Sequence, residues 1–390
     1  MERTQVGIIG AGPAGLVLSH LLAGAGIDTV VLESRSRDYV EGRVRAGVLE
    51  AGTVSVLERV GVADRLRREG LVHEGVNLSF DGDRHRIDLA GLTGGKTVTV
   101  YGQTEVVRDL VSARLGAGLP LRFEAAATGI GDPTGDRPVI HYETAGGPAS
   151  LSCDVVAGCD GFWGISRPTI PARVLTTYER DYPYAWLGIL ARVAPSSEEL
   201  IYAFHDHGFA LSSLRSPSVS RLYLQVAPDE NLDDWSDDRI WDELHIRLAT
   251  DGWELHEGPV FDKGITPMRS YVAGPMRHGR VFLAGDAAHI VPPTGAKGLN
   301  LAVADVTVLA EALMAWYAGG HETGLDRYSD RCQARVWRAQ EFATSMTTLL
   351  HLDPTADRFA RRIQRARQDQ VCTSVAAATV IAENYVGLPL

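Results

Sequence analysis

The chain has 390 residues, a hydrophobic content of 45%, a charged content of 22% and a formal net charge of −11. This length predicts about two or three packed domains, and the composition is that of a globular protein. The acidic balance excludes nucleic-acid binding as the main function, because phosphate backbones require a basic face. No run approaches the roughly 20 apolar residues that span a membrane, so no membrane association is expected.

The cysteines are widely spaced and form no CxxC motif; they are Cys153, Cys159, Cys332 and Cys372. This pattern is typical of a reducing compartment and indicates neither a disulfide framework nor a zinc knuckle. The N-terminus, MERTQVGIIGAG, passes directly into a strand and a glycine turn, which is not the pattern of a signal peptide. We therefore expect a cytoplasmic protein without a bound metal.

The first predicted elements are a strand, a glycine turn and a helix. The strand QVGII is followed at once by GAGPAG at residues 10–15, and helical spacing begins directly after it. In such a turn Gly10 permits the tight bend, Gly12 lets the backbone approach a pyrophosphate, and Gly15 lets helix and strand pack closely. The N–H groups at the start of the helix can receive the phosphates.

A second strand, DTVVLE at residues 28–33, ends in an acid. Glu33 lies 23 residues after Gly10, where a carboxylate can hold the ribose hydroxyls of a dinucleotide. Strand, turn, helix, second strand and terminal acid together predict a Rossmann-type nucleotide site. Because the acid disfavours a 2′-phosphate, the predicted bound nucleotide is FAD or NAD rather than NADP.

Residues 199–227 predict three antiparallel strands, ELIYAFH, FALSSLR and SRLYLQV, joined by the turns HDHG and SPSV. Side chains alternate along a strand, so one sheet face can present several polar groups to a benzoate-sized anion. Arg215 is suited to bind a carboxylate through two parallel hydrogen bonds. An ordinary solvated sheet face has the same spacing, so the pattern alone leaves both interpretations open. The polar residues of this face are Tyr202, Ser213, Arg215, Arg221 and Tyr223.

The segment GDAAHIVPPTGAKGLN, residues 285–300, follows another predicted strand that ends near Asp286. The carboxyl ends of strands are where α/β sheets place ligand-contacting groups. Helical spacing resumes near Lys297 or Gly298, and Asp305 falls on the polar face of that helix. The prolines stiffen the loop and the glycines allow close backbone approach, which predicts a loop built around a flat ligand.

Three motifs, GAGPAG, CDGFWGISR at residues 159–167 and GDAAHIVPPTGAKGLN, resemble those of the single-component aromatic hydroxylases, the group A flavoprotein monooxygenases. Other segments resemble the branch of this family that hydroxylates 4-hydroxybenzoate, and the similarity runs from end to end. These segments are RVRAGVLE (43–50), LVHEGV (71–76), GGKTVTVYGQTEV (94–106), ELIYAFHDHGFALSSLRS (199–216) and AENYVGLP (382–389).

The resemblance implies an FAD-dependent monooxygenase that converts 4-hydroxybenzoate into 3,4-dihydroxybenzoate, with NADPH or NADH as hydride donor and O2 as co-substrate. It also implies an α/β fold (α+β overall) with a Rossmann-like FAD-binding domain, an inserted antiparallel β-sheet substrate domain and a C-terminal helical region. We expect these to cover residues 1–175 with 276–297, residues 176–275 and residues 298–390. Family members are commonly homodimers, and the expected interface residues are Trp337, Phe342, Met346 and Leu350.

The resemblance assigns roles to individual residues. The substrate carboxylate is matched by Ser213, Arg215 and Tyr223. A relay that removes the phenol proton is matched by Tyr202, Tyr385 and, at its outer end, His73, and the carbonyl of Pro293 accepts the substrate hydroxyl. The predicted flavin-contacting residues are Gly10, Gly12, Ala14, Gly15, Glu33, Arg43, Arg45, Gln103, Asp160, Arg221, Asp286, Lys297, Gly298, Leu299 and Asn300. The predicted nicotinamide-binding residues are Arg35, Arg45, Trp163 and Arg269.

Two positions depart from the family pattern. Trp163 stands where well-known members carry a histidine associated with nicotinamide binding, and Ser34 stands where an arginine is usual. Arg35 and Arg37 can still serve a 2′-phosphate, so the sequence leaves the choice between NADH and NADPH open. Two alternative functions also stay open: hydroxylation of a related ring such as 4-aminobenzoate or 3,4-dihydroxybenzoate, and a flavin-binding sensor that does not hydroxylate.

Overall fold

The structure is a computed structural model that describes residues 2–43 and 47–388. Within those residues the strands form two eight-stranded sheets and one three-stranded sheet. The strands are β1 Glu2–Ile9, β2 Thr29–Leu32, β3 Val48–Glu50, β4 Leu71–His73, β5 Gly75–Phe80, β6 Asp83–Asp88, β7 Val98–Val100, β8 Leu121–Arg122, β9 Ala126–Gly131, β10 Val139–Thr144, β11 Gly147–Gly158, β12 Thr176–Ala191, β13 Ile201–Phe204, β14 Ala210–Ser216, β15 Val219–Val226, β16 Val260–Gly274, β17 Arg277–His278, β18 Val281–Leu283 and β19 His289–Ile290.

Helices flank these sheets, and short 3-10 turns join some of the elements. The α-helices are α1 Pro13–Gly24, α2 Arg37–Gly42, α3 Ala51–Arg59, α4 Asp64–Glu69, α5 Leu89–Leu92, α6 Gln103–Gly116, α7 Asp237–Leu248, α8 Gly298–Gly319, α9 Thr323–Asp326, α10 Tyr328–Leu350, α11 Arg358–Thr373 and α12 Val375–Val386. The 3-10 turns are Arg167–Thr169, Leu232–Asp234, Gly285–Ala287 and Pro293–Gly295.

The first sheet carries the nucleotide motif. Its strand order is β17-β18-β11-β1-β2-β8, and β1 runs parallel to both β2 and β11. β18 is parallel to β11, so the ends of β1, β2, β11 and β18 meet at one edge of the sheet. The apolar run at the end of β1 is buried, as expected for a strand covered on both faces. This arrangement confirms the predicted Rossmann-like domain.

The second sheet has the strand order β19-β16-β12-β15-β14-β13-β5-β6 and is largely antiparallel. The three strands predicted from residues 199–227 are β13, β14 and β15, and they pair as expected. β5 and β6 come from residues 75–88 and extend the sheet beyond them, with β5 parallel to β13. The second sheet therefore also draws strands from the first part of the chain.

Side chains alternate between two hydrophobic cores on the faces of this second sheet. One face packs against α7, and its core includes Leu187, Leu222 and Trp241. The opposite face, which carries the aromatic residues of β12 to β15, packs against α10 and α12. The period of two along each strand separates these residue sets. The aromatic face is the one that concerns function.

The helix α8 is long and apolar enough to cross a membrane by length and composition, which corrects the expectation that no segment approaches that length. In the fold, 67% of its most apolar window is buried inside the protein, and its apolar residues belong to the same core as those of α1. Its hydrophobic character is thus explained by packing between neighbouring helices.

Candidate active site

The glycine turn after β1 has the backbone geometry that the motif predicts. Gly10 has a φ of +103°, and a Cβ there would overlap the carbonyl oxygen of Cys159 on the neighbouring strand. A Cβ at Gly15 would overlap the carbonyl oxygen of Gly10. At Gly12, in contrast, a Cβ would meet nothing within 4 Å, so the backbone at the start of α1 is open to a ligand. Ala14 lies buried in the same turn of helix.

Glu33 lies directly after β2, beside this turn. Its Oε2 accepts a hydrogen bond from the Ala11 N–H at 2.8 Å, and its Oε1 accepts from the Arg35 N–H at 2.9 Å. A carboxylate offers about four acceptor positions, so these two bonds orient the group while leaving acceptors for ribose hydroxyls. Turn, helix start and oriented acid together fit the nucleotide half of FAD.

We expect Glu33→Gln to weaken FAD binding by about 10- to 100-fold, because each hydrogen bond to a charged acceptor contributes about 1.5–3 kcal/mol. The measurement is a titration of the apoprotein with FAD, in which binding is monitored through the quenching of flavin fluorescence. Glu69→Gln is the matched control, since Glu69 pairs with Arg65 on the surface of α4. Equal FAD affinity in the two variants would contradict the role of Glu33.

Asp286 is exposed between buried neighbours in the turn Gly285–Ala287, at the end of β18. A buried acid fixes this turn: Oδ2 of Asp305 accepts from the Gly285 N–H at 3.0 Å and lies 2.6 Å from Nε2 of His289. Burial lowers the pKa of His289, but the Asp305 carboxylate outweighs it, and the net shift is upward. The pair holds the turn so that Asp286 projects from the edge of the sheet.

Asp305 corrects the sequence interpretation that placed it on a polar helix face, because it is only 1% exposed. The one signal in the sequence was an acid within a largely apolar helix. Periodicity assigns such a residue to solvent, whereas the turn after β18 requires a buried acceptor.

The start of α8 is tied to two other parts of the chain. The Lys297 ammonium donates to Oε1 of Glu50 at 2.6 Å and to the carbonyl oxygen of Tyr385 at 3.2 Å. Oδ1 of Asn300 accepts from the Glu50 N–H at 3.0 Å, and its Nδ2 donates to the Ala296 carbonyl at 2.9 Å. Burial lowers the pKa of Lys297, and Glu50 opposes this shift. Both side chains therefore support the predicted flavin-binding backbone at Gly298.

Asp160 closes the loop that follows β11. Its Oδ2 accepts from the N–H and the hydroxyl of Ser166 at 2.9 and 2.8 Å. Its Oδ1 is buried and makes no hydrogen bond within residues 2–43 and 47–388, and burial raises the pKa of Asp160. A buried acceptor without a donor at the nucleotide edge fits a site that is completed by a ligand.

The predicted nicotinamide residues are partly brought together. Trp163 is 88% exposed and contacts the ring of Phe162 edge-on at 4.7 Å between centroids. The Arg269 guanidinium lies 5.0 Å from the same Phe162 ring. Arg35 lies elsewhere, 5.3 Å over the ring of Tyr39, and Arg45 lies outside the described residues.

The polar residues predicted on the second sheet share its aromatic face. Ser213 pairs directly with Arg221 across β14 and β15, and Leu211 pairs with both Tyr223 and Tyr202. Directly paired residues of antiparallel strands point to the same side. Arg215 follows on β14, at an irregularity in the register between Leu214 and Ser216.

The two arginines make this face electropositive. Nη2 of Arg215 donates to the Thr104 hydroxyl at 3.2 Å, and Nε of Arg221 donates to the Tyr223 hydroxyl. Nη1 of Arg221 is buried and has no hydrogen-bond partner among the residues that the structure describes. Burial lowers the pKa of Arg215, and the charge of Arg221 lowers it further. An anion placed between the guanidinium groups would relieve this repulsion.

Two residues that no sequence motif indicated, Gly102 and Thr104, lie beside Arg215. A Cβ at Gly102 would overlap the Arg215 guanidinium, so only glycine leaves space for it there. Thr104, in the first turn of α6, supplies the hydroxyl described above. The glycine preceding a helix was the only local signal. Gln103, a predicted flavin residue, lies between them at the start of α6, and Arg43 lies against the same helix through its carbonyl oxygen.

The two tyrosines predicted to form a proton relay face each other. The hydroxyls of Tyr202 and Tyr385 are 2.7 Å apart, and each side chain is 2% exposed. Burial raises the pKa of both tyrosines, so both are neutral hydroxyls at neutral pH. Neutral hydroxyls in a row can pass a proton by exchanging donor and acceptor roles.

The predicted outer end of this path, His73, is buried in β4. Neither ring nitrogen makes a hydrogen bond within the described part of the chain. Burial lowers the pKa of His73 to about 4, against an opposing contribution from Glu199. A direct protein hydrogen bond between His73 and the tyrosine pair is therefore absent from the residues described, and its relay role stays a prediction.

Aromatic side chains pack together on this face of the second sheet. The Trp186 ring lies 4.7 Å from that of Tyr223, and its Nε1–H donates to Nε2 of His351 at 2.7 Å. Burial lowers the pKa of His351 to about 3, so its ring is neutral and can accept this bond. Pro293 begins the turn Pro293–Gly295, which is fixed by a 2.9 Å hydrogen bond between the hydroxyls of Thr294 and Thr347.

The nucleotide-binding edge of the first sheet and the electropositive aromatic face of the second sheet are the features of a dinucleotide-dependent enzyme for a small aromatic anion. Residues 3–343 match the FAD binding domain family. The chain is 48% identical over 388 residues to p-hydroxybenzoate hydroxylase of Acinetobacter baylyi, covering 99% of this chain and 96% of that one. The chain therefore belongs to the FAD binding domain family, as one of its flavoprotein aromatic hydroxylases.

Other comparisons agree with this assignment. The chain is 27% identical over 349 residues to a 3-(3-hydroxy-phenyl)propionate/3-hydroxycinnamic acid hydroxylase of Mycolicibacterium gilvum, covering 84% of this chain and 57% of that one. The fold matches the crystal structure of p-nitrophenol 4-monooxygenase PnpA from Pseudomonas putida DLL-E4 with a TM-score of 0.86 and 24% identity, over 100% of both chains. The cofactor of this chain is therefore FAD, and the enzyme is a monooxygenase.

Proposed function

We propose that the enzyme hydroxylates 4-hydroxybenzoate at the 3-position to give 3,4-dihydroxybenzoate, with NADPH or NADH as donor and O2 as co-substrate. The observation that carries this proposal is one sheet face that presents both the Arg215 guanidinium and the facing hydroxyls of Tyr202 and Tyr385. A para-hydroxylated benzoate carries a carboxylate and a phenol hydroxyl at opposite ends of one ring, so each can meet one of these protein groups. The 48% identity to p-hydroxybenzoate hydroxylase supports the same substrate.

In this proposal Arg215 binds the carboxylate, with Ser213 and Tyr223 as further donors. Two guanidinium groups and a surrounding of aromatic rings make the site selective for an aromatic anion. The ion pair between Arg215 and the substrate carboxylate also fixes the position of the substrate ring along the sheet face. The reactive carbon is then presented at a fixed distance from the loop that contains Pro293.

The second contribution of the protein is to remove the proton from the phenol hydroxyl of the substrate. Bound FAD supplies the oxygen-transfer chemistry. Attack on the ring is faster when the phenol is ionised, so the chain must remove its proton. Tyr202 can accept that proton while donating its own to Tyr385, and Tyr385 in turn passes its own proton outward, with His73 as the proposed outer acceptor. Both tyrosines are then neutral at the end. The backbone carbonyl of Pro293 orients the substrate hydroxyl.

In this proposal the aromatic side chains on this face of the second sheet exclude water from the reacting ring. Trp186, Phe209 and Tyr223 are buried, and the stacked neutral ring of His351 lies 4.4 Å from Phe209. Water exclusion strengthens the charge interactions and prevents a wasted release of hydrogen peroxide. The hydrophobic face of the second sheet thus has a catalytic purpose as well as a structural one.

The test is the oxidation of NADH and NADPH by the FAD-loaded protein, with and without 4-hydroxybenzoate, and with the product identified by mass spectrometry. Stimulated oxidation that yields 3,4-dihydroxybenzoate is the expected result. Stimulation that yields only hydrogen peroxide would mean that another ring, such as 4-aminobenzoate, is the substrate. Absence of any stimulation would refute the proposal. The ratio of the two donor rates decides the preference that Ser34 and Trp163 leave open.

We also propose a cytoplasmic homodimer. All four cysteines are free, which supports a reducing compartment.

The dimer interface expected from the sequence is partly wrong. Phe342, Met346 and Leu350 are buried in the core of the chain instead. Trp337, the fourth residue expected there, is exposed and stays a candidate. Exposed apolar residues of α11 and α12 are further candidates, namely Phe359, Ile363, Val375 and Val380. Sedimentation velocity would test the dimer, and a monomer at micromolar concentration would contradict it.

A further inference from the structure

The hydroxyl of Thr104 connects two segments of the pocket. It accepts a hydrogen bond from Nη2 of Arg215 at 3.2 Å, and it donates to the carbonyl oxygen of Arg43 at 2.8 Å. A guanidinium can only donate and a carbonyl can only accept, so the direction of both bonds is fixed. Thr104 is 4% exposed, and water has little access to replace it.

The position of this hydroxyl is itself tightly determined. Thr104 lies in the first turn of α6, and the preceding Gly102 leaves space for the Arg215 guanidinium against its backbone. A Cβ at Gly47 would overlap the carbonyl oxygen of Tyr101, and the Tyr101 N–H donates to the Gly47 carbonyl at 3.0 Å. The backbone on both sides of residues 44–46 is thus bonded to residues 101–104.

Arg215 needs such support because of its surroundings. The charge of Arg221 is close enough to repel it, and the side chain is largely removed from water. A long side chain under repulsion has several rotamers that move its guanidinium away from the sheet face. A hydrogen-bond acceptor at a fixed position favours one of these rotamers over the others.

We propose that Thr104 is a positioning residue for aromatic carboxylates: its hydroxyl orients Arg215 and joins it to the backbone at Arg43. The proposal rests on the proposed function, in which Arg215 binds the substrate carboxylate. It predicts that Thr104 determines the affinity for the carboxylate end of the ligand. The rate at saturating substrate does not depend on it, because the hydroxyl contacts neither the reacting carbon nor the phenol relay.

The experiment compares the wild type with Thr104→Val, which has the same shape without the hydroxyl, and Thr104→Ser, which keeps it. Benzoate, 4-hydroxybenzoate and phenol are titrated against the FAD-loaded proteins, with binding followed by tryptophan fluorescence. For Thr104→Val we expect about tenfold weaker binding of both carboxylates, as for a lost hydrogen bond to a charged group, with phenol affinity unchanged. Thr104→Ser should restore carboxylate affinity, and KM should change without kcat.

Thr307→Val is the matched control, because it removes a buried hydroxyl that donates to the Val303 carbonyl inside α8. Equal loss of phenol and benzoate affinity in Thr104→Val would indicate a general structural role and overturn the proposal, as would no loss at all. If the wild type binds benzoate but does not hydroxylate 4-hydroxybenzoate, the proposed function fails while the benzoate comparison still decides the role of Thr104. A wild type that binds no carboxylate would overturn both.

Discussion

Replacing Arg215 with methionine is expected to weaken 4-hydroxybenzoate binding by about 10²- to 10³-fold, because losing one partner of a buried charge pair costs about 2–5 kcal/mol. The face would keep Arg221, so some attraction for anions remains. Arg215→Lys should lie between the wild type and the methionine variant. It keeps the charge but loses the planar fork that binds both carboxylate oxygens.

The affinities are measured by titration of the FAD-loaded variants, with phenol as a ligand that lacks the carboxylate. Phenol affinity should change little, since the proposed function places the phenol end of the substrate at the tyrosine pair. Arg239→Met is the matched control, because Arg239 lies on α7, against the opposite face of the sheet, and pairs with Glu230. A methionine variant that binds benzoate as tightly as the wild type would remove Arg215 from the carboxylate site.

The elements that sequence predicted best are those with short-range rules. The turn at Gly10 requires a positive φ, and a strand followed by a helix start has one common geometry in nucleotide-binding domains. The sharing of one sheet face by Ser213 and Tyr223 follows from alternation along paired strands. The start of α8 at Gly298 lies where the resumed helical spacing placed it. Such features need only local sequence.

The features that sequence did not predict depend on contacts between distant segments. β5 joins β13 although about 120 residues separate them, because β5 supplies a further apolar edge to the sheet. Asp305 reads as a solvent-facing acid until the turn after β18 is placed against it. Gly102 and Thr104 look like ordinary residues before a helix, and only the position of Arg215 gives them a role. Long-range pairing of this kind has no local signal.

His351 illustrates the same limit at the pocket wall. Its ring stacks on Tyr184 and Phe209, and accepts a hydrogen bond from the indole of Trp186. A histidine near the end of a long helix gives no indication of a buried neutral ring. The sequence could suggest that the pocket is aromatic, but the group that orients the tryptophan emerges only when α10 is packed on the sheet.

Tyr385→Phe is expected to lower the hydroxylation rate at neutral pH by about 10²-fold, within the usual range for loss of proton transfer by a positioned group. Tyr202 would remain beside the substrate but would have no hydroxyl to receive its proton, because its 2.7 Å partner is gone. Burial raises the pKa of Tyr202 well above its usual range, so this residue is not present as a phenolate that could take up the substrate proton by itself.

The pH profile of the variant separates this role from a packing defect. The substrate phenol, with a pKa of about 10 in water, ionises unaided as the pH rises, so the rate of Tyr385→Phe should climb toward that of the wild type between pH 7 and 10. Substrate affinity should stay within about threefold, since the phenol ring of Tyr385 is retained. Tyr317→Phe is the control, because its hydroxyl bonds to the Gln5 carbonyl and to Asp154, on the far side of the first sheet. A rate of Tyr385→Phe that is low at every pH would mean that Tyr385 acts through packing. Recovery of the rate at high pH, together with a wild-type rate of Tyr317→Phe at neutral pH, would assign the proton path to the facing tyrosines.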